Sequence, residues 1–335
     1  MQLQSQRIIA DRKPFRYKQF FLQWEWMLLL LFIAVNVVNS YLSPYYMDYF
    51  NLRDATMAFL DKAFLVLPMV FVIILADIDI SVASTVALSS VVMADIYTMG
   101  VPMEIAIVVC LAVGAACGFV NGWLLVKFNE LSAVIVTLIT MILYRGIAYM
   151  ILEDQAAGGF PEWFNFLGWG YVGGIPFIAV AFAVCAVLFG LLLHNTTFGR
   201  HVYAIGSNPT ASRYSGVPVD RVRLIVFTLT GLMAAVTAIF LTSRMGSTRP
   251  NIANMYELEV IAMAVLGGVS TAGGKGRMIG AIVAIFLIGL LKYGLGLVNV
   301  PAQTQLIIIG LLLIAAVLVP NLRRTGKAKA RAKAK

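Results

Sequence analysis

The amino-acid sequence predicts an all-α, polytopic membrane protein, and three observations lead to that prediction. Of the 335 residues, 61% are hydrophobic and only 12% are charged, and the mean hydropathy is +0.89. Soluble chains are about 45–50% apolar and about 25% charged, so a soluble domain of this length could not bury this much apolar surface. The apolar runs are continuous and recur at about the length that crosses roughly 30 Å of hydrocarbon, which favours helices over the alternating strands of a barrel.

About ten transmembrane or re-entrant helices are predicted within residues 24–320. The predicted segments are 24–42, 58–76, 80–98, 104–126, 131–152, 176–194, 222–243, 257–270, 277–298 and 303–320. The segment 257–270 is too short for a perpendicular crossing, and 80–98 is rich in Ser and Ala. One or both are therefore candidates for re-entrant or broken segments, and the number of crossings is predicted as eight to ten.

The positions of Lys and Arg predict the orientation. If the N-terminus lies in the cytoplasm, most of the 25 basic residues fall on the cytoplasmic side, in residues 1–23, in the loop 195–221, near residue 275 and in the tail. The positive-inside rule therefore predicts that both termini are cytoplasmic in a bacterial inner membrane. Residues 1–23 are predicted as a cytoplasmic segment before a retained first span, and residues 322–335 as a basic tail near anionic lipid headgroups rather than on nucleic acid.

Enzyme motifs are incomplete in this sequence. The run "LGGVSTAGGKGR" at 266–277 lacks both the first Gly and the Ser or Thr after Lys275 that a phosphate-binding Walker loop requires, and a Gly-rich turn between two membrane segments is predicted instead. Asp77 and Asp79 lie two positions apart and would point away from each other on a helix, which argues against an aspartyl protease. The Cys and His residues have no metal-ligand spacing. No catalytic residue, metal or cofactor is predicted.

The loop "AIGSNPTASRYSGVPVDRVR" at 204–223 carries the signals of a short helix. Asn208 is the predicted N-cap and Pro209 the first helical residue, while Gly216 and Pro218 end the helix. By pattern alone, this helix is either a surface that a partner contacts or an ordinary amphipathic connector at the level of the lipid headgroups.

Three stretches together resemble the sugar-permease branch of the ATP-binding-cassette importers, the group that includes the ribose-type permeases. They are "DIDISVAS" at 77–84, "FGRHVYAIGSNPTASRYSGVPVDRVR" at 198–223 and "ELEVIAMAVLGGVSTAGGKGRMIGA" at 257–281. Their order and spacing make the resemblance specific, and it covers nearly all of residues 24–320. Within the group the chain is most similar to the rhamnose-type permeases, on the stretches "NSYLSPYYMDYFNLRDAT", "DQAAGGFPEWFNFLGWGYV" and "LTSRMGSTRPNIANMYELEV".

The resemblance implies a permease subunit without catalytic residues. Such a subunit pairs with a second permease chain, in a heterodimer or a homodimer, above two ABC ATPase subunits, and an external sugar-binding protein delivers the substrate. The segment 207–216 would then be the coupling helix that seats in the ATPase. The positions that match the family pattern are Gly206, Asn208, Pro209, Ala211, Arg213, Ser215 and Gly216.

The stretch "LADIDISVAS" at 75–84 is predicted to be a helix break. Asp79, Ser81 and Ser84 match the ribose-type pattern, whereas Asp77 replaces a Gly. Two interpretations stay open: Asp77, Asp79, Ser81 and Ser84 line the substrate path, or Asp79 and Ser81 cap backbone N–H groups where a helix restarts. Arg145 and Lys292, the two basic residues within the predicted spans, are expected to extend to water at the outer ends of their helices.

The substrate is predicted as a monosaccharide, with rhamnose first. Ribose, another sugar or an autoinducer-2-like furanosyl compound remain alternatives, because the external binding protein would select the substrate. The alternative from another class is an ion-coupled secondary transporter that uses carboxylates such as Asp77 and needs no ATPase.

Overall fold

The computed structural model describes residues 24–312 and 314, and its regular structure is almost entirely helical. The predicted N-terminal segment 1–23 and the basic tail 322–335 lie outside the described residues. The helices are α1 (Trp24–Leu42), α2 (Tyr49–Ile74), α3 (Val82–Thr98), α4 (Met103–Lys127), α5 (Ala133–Leu152), α6 (Glu162–Trp169), α7 (Phe177–Asn195), α8 (Thr197–Ser207), α9 (Pro209–Tyr214), α10 (Val219–Met245), α11 (Tyr256–Leu266), α12 (Met278–Leu297) and α13 (Ala302–Leu312).

Six helices in the described part of the chain are long and apolar enough to cross a membrane: α2, α4, α5, α7, α10 and α12. This confirms the prediction of a polytopic, helical membrane protein. Helices α1, α3 and α13 are apolar but shorter. Helix α11 has only 11 residues, or about 16 Å at 1.5 Å per residue, which agrees with the prediction that the segment 257–270 is too short to cross. The count of about ten and the orientation of the termini stay predictions.

Helix α2 forms the centre of the bundle. Its apolar stretch is buried on nearly all sides, and it packs against α7, α10, α11 and α12. On this helix Phe64 stacks on Phe240 of α10, with ring centroids 4.9 Å apart. Helices α4, α5 and α7 are mostly exposed and equally apolar, as expected where helices face lipid tails.

Helices α4 and α10 touch through their backbones. Gly114 and Gly118 on α4 face Gly231 on α10, and a Cβ on Gly118 would collide with the carbonyl oxygen of Phe227 and lie 2.9 Å from the amide nitrogen of Gly231. Small residues four apart let membrane helices approach this closely, and the contact gains van der Waals energy that lipid cannot supply. The two helices therefore form one tightly packed pair.

Four short strands and the two ends of the bundle complete the fold. Strand β1 (Ala157–Gly158) pairs antiparallel with β4 (Ser247–Thr248), and β2 (Tyr171–Val172) pairs with β3 (Ile175–Pro176). The strands lie with α6 and the loop 246–255 at one end of the bundle, which we call the β end. Helices α8 and α9 and the loop 267–277 lie at the opposite end, which we call the α9 end.

Candidate functional site

Helix α9 has the boundaries that its sequence predicts. Asn208 is the N-cap, its Oδ1 accepts a hydrogen bond of 2.9 Å from the amide of Ala211, and Pro209 is the first helical residue. Gly216 follows the helix at φ +81°, a conformation that favours glycine. Arg213 pairs with Asp220 at the start of α10. Tyr214 is 90% exposed, so the helix presents an aromatic side chain that nothing in the described chain covers.

The segment that precedes α9 packs against the end of α2 with backbone atoms in direct contact. A Cβ on Gly206 would collide with the carbonyl oxygen of Ile74 and would lie 2.7 Å from the amide nitrogen of Gly274. That amide in turn donates to the carbonyl oxygen of Ile74 at 2.8 Å. Three separate parts of the sequence therefore meet at one point: the end of α2, the end of α8 and the Gly-rich loop 267–277.

The break predicted between 75 and 84 is present and begins at Ala76. The amides of Ala76 and Asp77 donate back to the carbonyls of Ile73 and Val72, and Ala76 has φ +65°, the left-handed geometry that ends many helices. Asp77 then binds Arg223 of α10 with both carboxylate oxygens, at 2.5 and 2.6 Å. Asp77 is buried and Arg223 only partly so. This ion pair connects the start of α10 to the break.

Asp79 turns the chain into α3, as the capping interpretation predicts, whereas the hydroxyl of Ser81, the N-cap of α3, caps no backbone N–H group. The Oδ1 atom of Asp79 accepts hydrogen bonds from the amide of Ser81 at 2.9 Å and from its hydroxyl at 2.7 Å. The hydroxyl oxygen of Ser81 accepts from Asn121 on α4, and Asn121 accepts from the hydroxyl of Tyr144 on α5. Ser84 donates to the carbonyl of Ser81. This buried polar chain connects the break to two lipid-facing helices.

Substitution of Asp79 separates its acceptor role from its charge. Asp79→Ala removes the acceptor from two buried donors of Ser81, and we expect a loss of about 1–3 kcal/mol in stability, seen as a lower apparent melting temperature in detergent. Asp79→Asn keeps an acceptor oxygen in the same place and is the matched control, which should melt close to the wild type. An alanine variant as stable as the wild type would contradict the capping role.

The β end contains a second group of buried charges, which no motif in the sequence indicates. Glu259 on α11 binds Lys62 on α2 at 2.8 Å and Lys292 on α12 at 2.7 Å. Next to Lys62, Asp61 binds Arg244 at the end of α10 at 2.7 Å. Lys62 counts among the external basic residues by the positive-inside rule, yet its side chain is only 7% exposed. The sequence contains one signal of this charged group, which is the adjacent pair Asp61 and Lys62 inside an apolar run.

The two basic residues that were expected to extend to water have protein partners instead. Arg145 donates to the carbonyl oxygens of Pro250 and Ile252 at 2.7 and 2.8 Å and so holds the loop 246–255. Lys292 binds Glu259. Both side chains remain partly exposed, but their charged groups bind atoms of the protein.

The predicted site residues fall into two connected groups. Gly206, Asn208, Pro209, Ala211, Arg213, Ser215 and Gly216 lie on or beside α9, and Asp77, Asp79, Ser81 and Ser84 lie at the break. The Gly206 contact and the Asp77–Arg223 pair connect the two groups. Within residues 24–312, no group of three or more His, Cys, Asp and Glu side chains is placed to hold a metal ion.

Comparison with known proteins covers most of the chain. Residues 52–317 match the family described as branched-chain amino acid transport system / permease component. The ribose import permease protein RbsC of Bacillus subtilis is 36% identical over 291 residues, which are 86% of this chain and 90% of that protein. The autoinducer 2 import system permease protein LsrD of Escherichia coli K12 is 34% identical over 300 residues, which are 88% of this chain and 91% of that protein. No solved structure matches the chain significantly.

The family match includes both groups of site residues and all six helices that are long enough to cross a membrane, apart from the first residues of α2. In this family the permease components do not catalyse a reaction, and separate subunits hydrolyse ATP. The resemblance to sugar-type importer permeases is confirmed, whereas the similarity to rhamnose-type members is not. The chain therefore belongs to the family of branched-chain amino acid transport system permease components, as a non-catalytic, multi-pass subunit in the bacterial inner membrane.

Proposed function

We propose that this chain is the permease subunit of an ATP-driven importer that passes a monosaccharide across the inner membrane, and that α9 is the coupling helix on which the ATPase acts. One observation carries the proposal: α9 is exposed, yet the residues beside it are fastened to the break after α2 through Gly206 and through the Asp77–Arg223 pair. An exposed helix with rigid connections to a buried helix break is suited to transmit force from a partner.

Two routes connect α9 to the membrane helices. The first runs through α8, because Gly206 lies directly against the carbonyl of Ile74 at the end of α2. The second runs through α10, because Arg213 pairs with Asp220 and Arg223 pairs with Asp77. A displacement of α9 would therefore reach the end of α2 by one route and Asp77 in the break by the other. Coupling between ATP hydrolysis and transport requires an element that can adopt two conformations. We propose that the break at 76–81 is this element.

Buried hydroxyl groups along α3 and α10, between the break and the β end, support a path for a polar solute. Ser89 on α3 and Thr237 and Thr242 on α10 each bury a hydroxyl that has no hydrogen-bond partner among the described residues. Unpaired hydroxyls in a membrane interior cost free energy, and the hydroxyls of a passing sugar would satisfy them. We propose that the path continues along Asp77, Asp79 and Ser81 in the break and Ser84 in the first turn of α3.

The proposed substrate is a monosaccharide, with rhamnose first and with ribose, another sugar or an autoinducer-2-like furanosyl compound as alternatives. Rhamnose is our first prediction from the sequence, whereas the comparisons support ribose and autoinducer 2, which are named in RbsC and LsrD. The proposed partners are two ATPase subunits, a second permease chain in a homodimer or heterodimer, and an external sugar-binding protein. In this arrangement the α9 end and both termini face the cytoplasm, in agreement with their basic residues.

Charge reversal on α9 tests the docking role. We expect Arg213→Glu to lower sugar uptake and sugar-stimulated ATP hydrolysis at least about tenfold, because loss of a central contact in an interface commonly costs more than 1.4 kcal/mol. The matched control is Lys127→Glu, which reverses a charge at the end of α4, at the same end of the bundle but away from α9. Pull-down of the ATPase and uptake are the measurements.

The opposite result would remove α9 from the docking site. If Arg213→Glu still retains the ATPase and transports normally, coupling does not pass through this helix. Uptake into vesicles that contain an ion gradient but no ATPase would instead support the secondary transporter.

A further inference from the structure

A cavity of about 470 Å³ opens at the β end, where α10 ends. Its walls are formed by the end of α10, the loop 246–255 and Tyr256 at the start of α11. The volume falls within the range of about 300–1,000 Å³ that is usual for small-molecule sites. Neither α9 nor the break contributes a lining residue. The cavity is therefore a separate candidate site for a small molecule.

Contacts with other parts of the chain hold the loop 246–255 in place. Arg145 of α5 donates to two carbonyl oxygens of the loop, at 2.7 and 2.8 Å. The hydroxyl of Thr248 in the loop is hydrogen-bonded to that of Ser90 on α3 at 2.8 Å, and β4 pairs with β1. The walls of the cavity are therefore fixed by contacts that do not depend on a ligand.

Three polar side chains in the cavity are free to bind a ligand. Ser247, Arg249 and Asn251 line it, and within residues 24–312 none of their side chains makes a hydrogen bond or an ion pair. Arg244 also lines the cavity, but it binds Asp61 and is not among the free groups. A hydroxyl and a side-chain amide both donate and accept hydrogen bonds, whereas a guanidinium only donates. This set fits the hydroxyls of a sugar, which donate and accept, better than a carboxylate, which only accepts.

The rest of the lining is mostly apolar and suits the C–H faces of a sugar ring. The apolar side chains are those of Leu241, Met245, Ile252, Ala253 and Tyr256. The ammonium group of Lys62 lies 4.5 Å from the centre of the Tyr256 ring, and this cation–π contact helps to position the ring. Apolar walls with a few placed polar groups are typical of small-molecule sites.

The face of α10 that lines the cavity continues to a buried hydroxyl farther from the β end. Leu241 and Met245 line the cavity, and Thr237, one turn before Leu241, lies on the same face of the helix. The hydroxyl of Thr237 is buried and has no hydrogen-bond partner among the described residues. Ser89 of α3, next to Ser90, has a second such hydroxyl. The cavity thus lies at the β-end start of the proposed path.

On the basis of the proposed function, in which the β end faces outward, we infer that this cavity is the first site at which the sugar binds the chain. The sugar hydroxyls bind Ser247, Arg249 and Asn251, and its C–H face lies on the apolar wall. From there the sugar moves along α10 to Thr237. A site on a transport path must also release its ligand, which agrees with a cavity that has only three free polar groups.

Saturation-transfer NMR on the full chain in detergent tests this site, with L-rhamnose and D-ribose as probes. We expect the wild type to bind at least one of the two sugars, and a titration gives the dissociation constant. Asn251→Trp should raise this constant at least about tenfold, because the indole occupies space that a ligand needs in a cavity of this size. Arg249→Met removes the free guanidinium and should raise it at least about threefold, as expected for the loss of one hydrogen bond.

The matched control is Asn254→Trp, which places the same side chain on an exposed residue of the same loop that does not line the cavity. It should bind the sugar like the wild type. Equal binding by the wild type, Asn251→Trp and Arg249→Met would overturn the inference, as would the absence of binding by both sugars. Binding of acetate in place of either sugar would assign the cavity to a carboxylate and would also overturn it.

Uptake by the complete importer distinguishes a failure of this inference from a failure of the proposed function. Normal sugar uptake with Asn251→Trp would overturn the inference and leave the proposed function intact. If the wild-type importer takes up no sugar although the chain binds one in the cavity, the proposed function fails and the sugar site stands.

Discussion

Glu259→Ala is expected to remove most of the folded protein. The substitution leaves Lys62 and Lys292 facing each other without the carboxylate that now lies 2.8 and 2.7 Å from their ammonium groups. Removal of one partner from a buried ion pair costs about 3–5 kcal/mol, because an uncompensated charge stays in the interior. We expect a sharp drop in the yield of monodisperse protein in detergent, together with a lower apparent melting temperature of what remains.

Two variants isolate the buried charge as the cause. Glu104→Ala removes an exposed carboxylate from the first turn of α4 and should behave like the wild type. The triple change Lys62→Met, Glu259→Leu and Lys292→Met replaces the group by apolar side chains and should recover the fold, since buried ionic groups are often dispensable for stability. If Glu259→Ala melts within a degree of the wild type, the three charges are not a buried unit.

Charge reversal at Asp77 is the second large effect that we expect. Asp77→Arg places two guanidinium groups together at the break, where Asp77 is 8% and Arg223 is 24% exposed. Like charges with limited access to water repel strongly, so α10 should separate from the break. We expect sugar uptake to fall at least about tenfold, which corresponds to about 1.4 kcal/mol or more of lost coupling.

The exchange Asp77→Arg with Arg223→Asp restores opposite charges in reversed order. It should recover a large part of the uptake, and the double-mutant cycle should give a coupling energy within the range of about 0.5–3 kcal/mol found for contacting residues. Arg221→Asp, which changes an exposed charge two residues before Arg223, is the control. If the exchange transports no better than either single variant, the pair is not what connects α10 to the break.

The sequence predicts elements well where the signal is local. The apolar runs place most of the predicted helices within a few residues, although α2 begins nine residues before its predicted start at 58. Asn208, Pro209 and Gly216 mark the ends of α9, because capping depends on neighbours in the chain. The Asp79–Ser81 turn follows from the same local chemistry.

Partners that are distant in the chain could not be predicted in this way. Asp77 and Arg223 are 146 positions apart, and Lys62 and Glu259 are 197 apart. The arrangement of helices decides which charges meet, and periodicity within one segment does not contain that information. For this reason Arg223 counted only as a basic residue near the membrane, and Glu259 had no assigned role.

The ion pairs of α10 have a joint consequence. Arg223 at its start binds Asp77, directly after α2, and Arg244 at its end binds Asp61, within α2. The antiparallel helices α2 and α10 are thus held together by ion pairs at two levels, and α4 packs closely against α10 through glycine contacts. If these three helices move as one block, a tilt that displaces one end of the block also displaces the other end. Thermodynamic linkage is reciprocal: if loosening the Asp61–Arg244 pair weakens the Asp77–Arg223 pair by some free energy, then loosening the Asp77–Arg223 pair weakens the Asp61–Arg244 pair by the same amount.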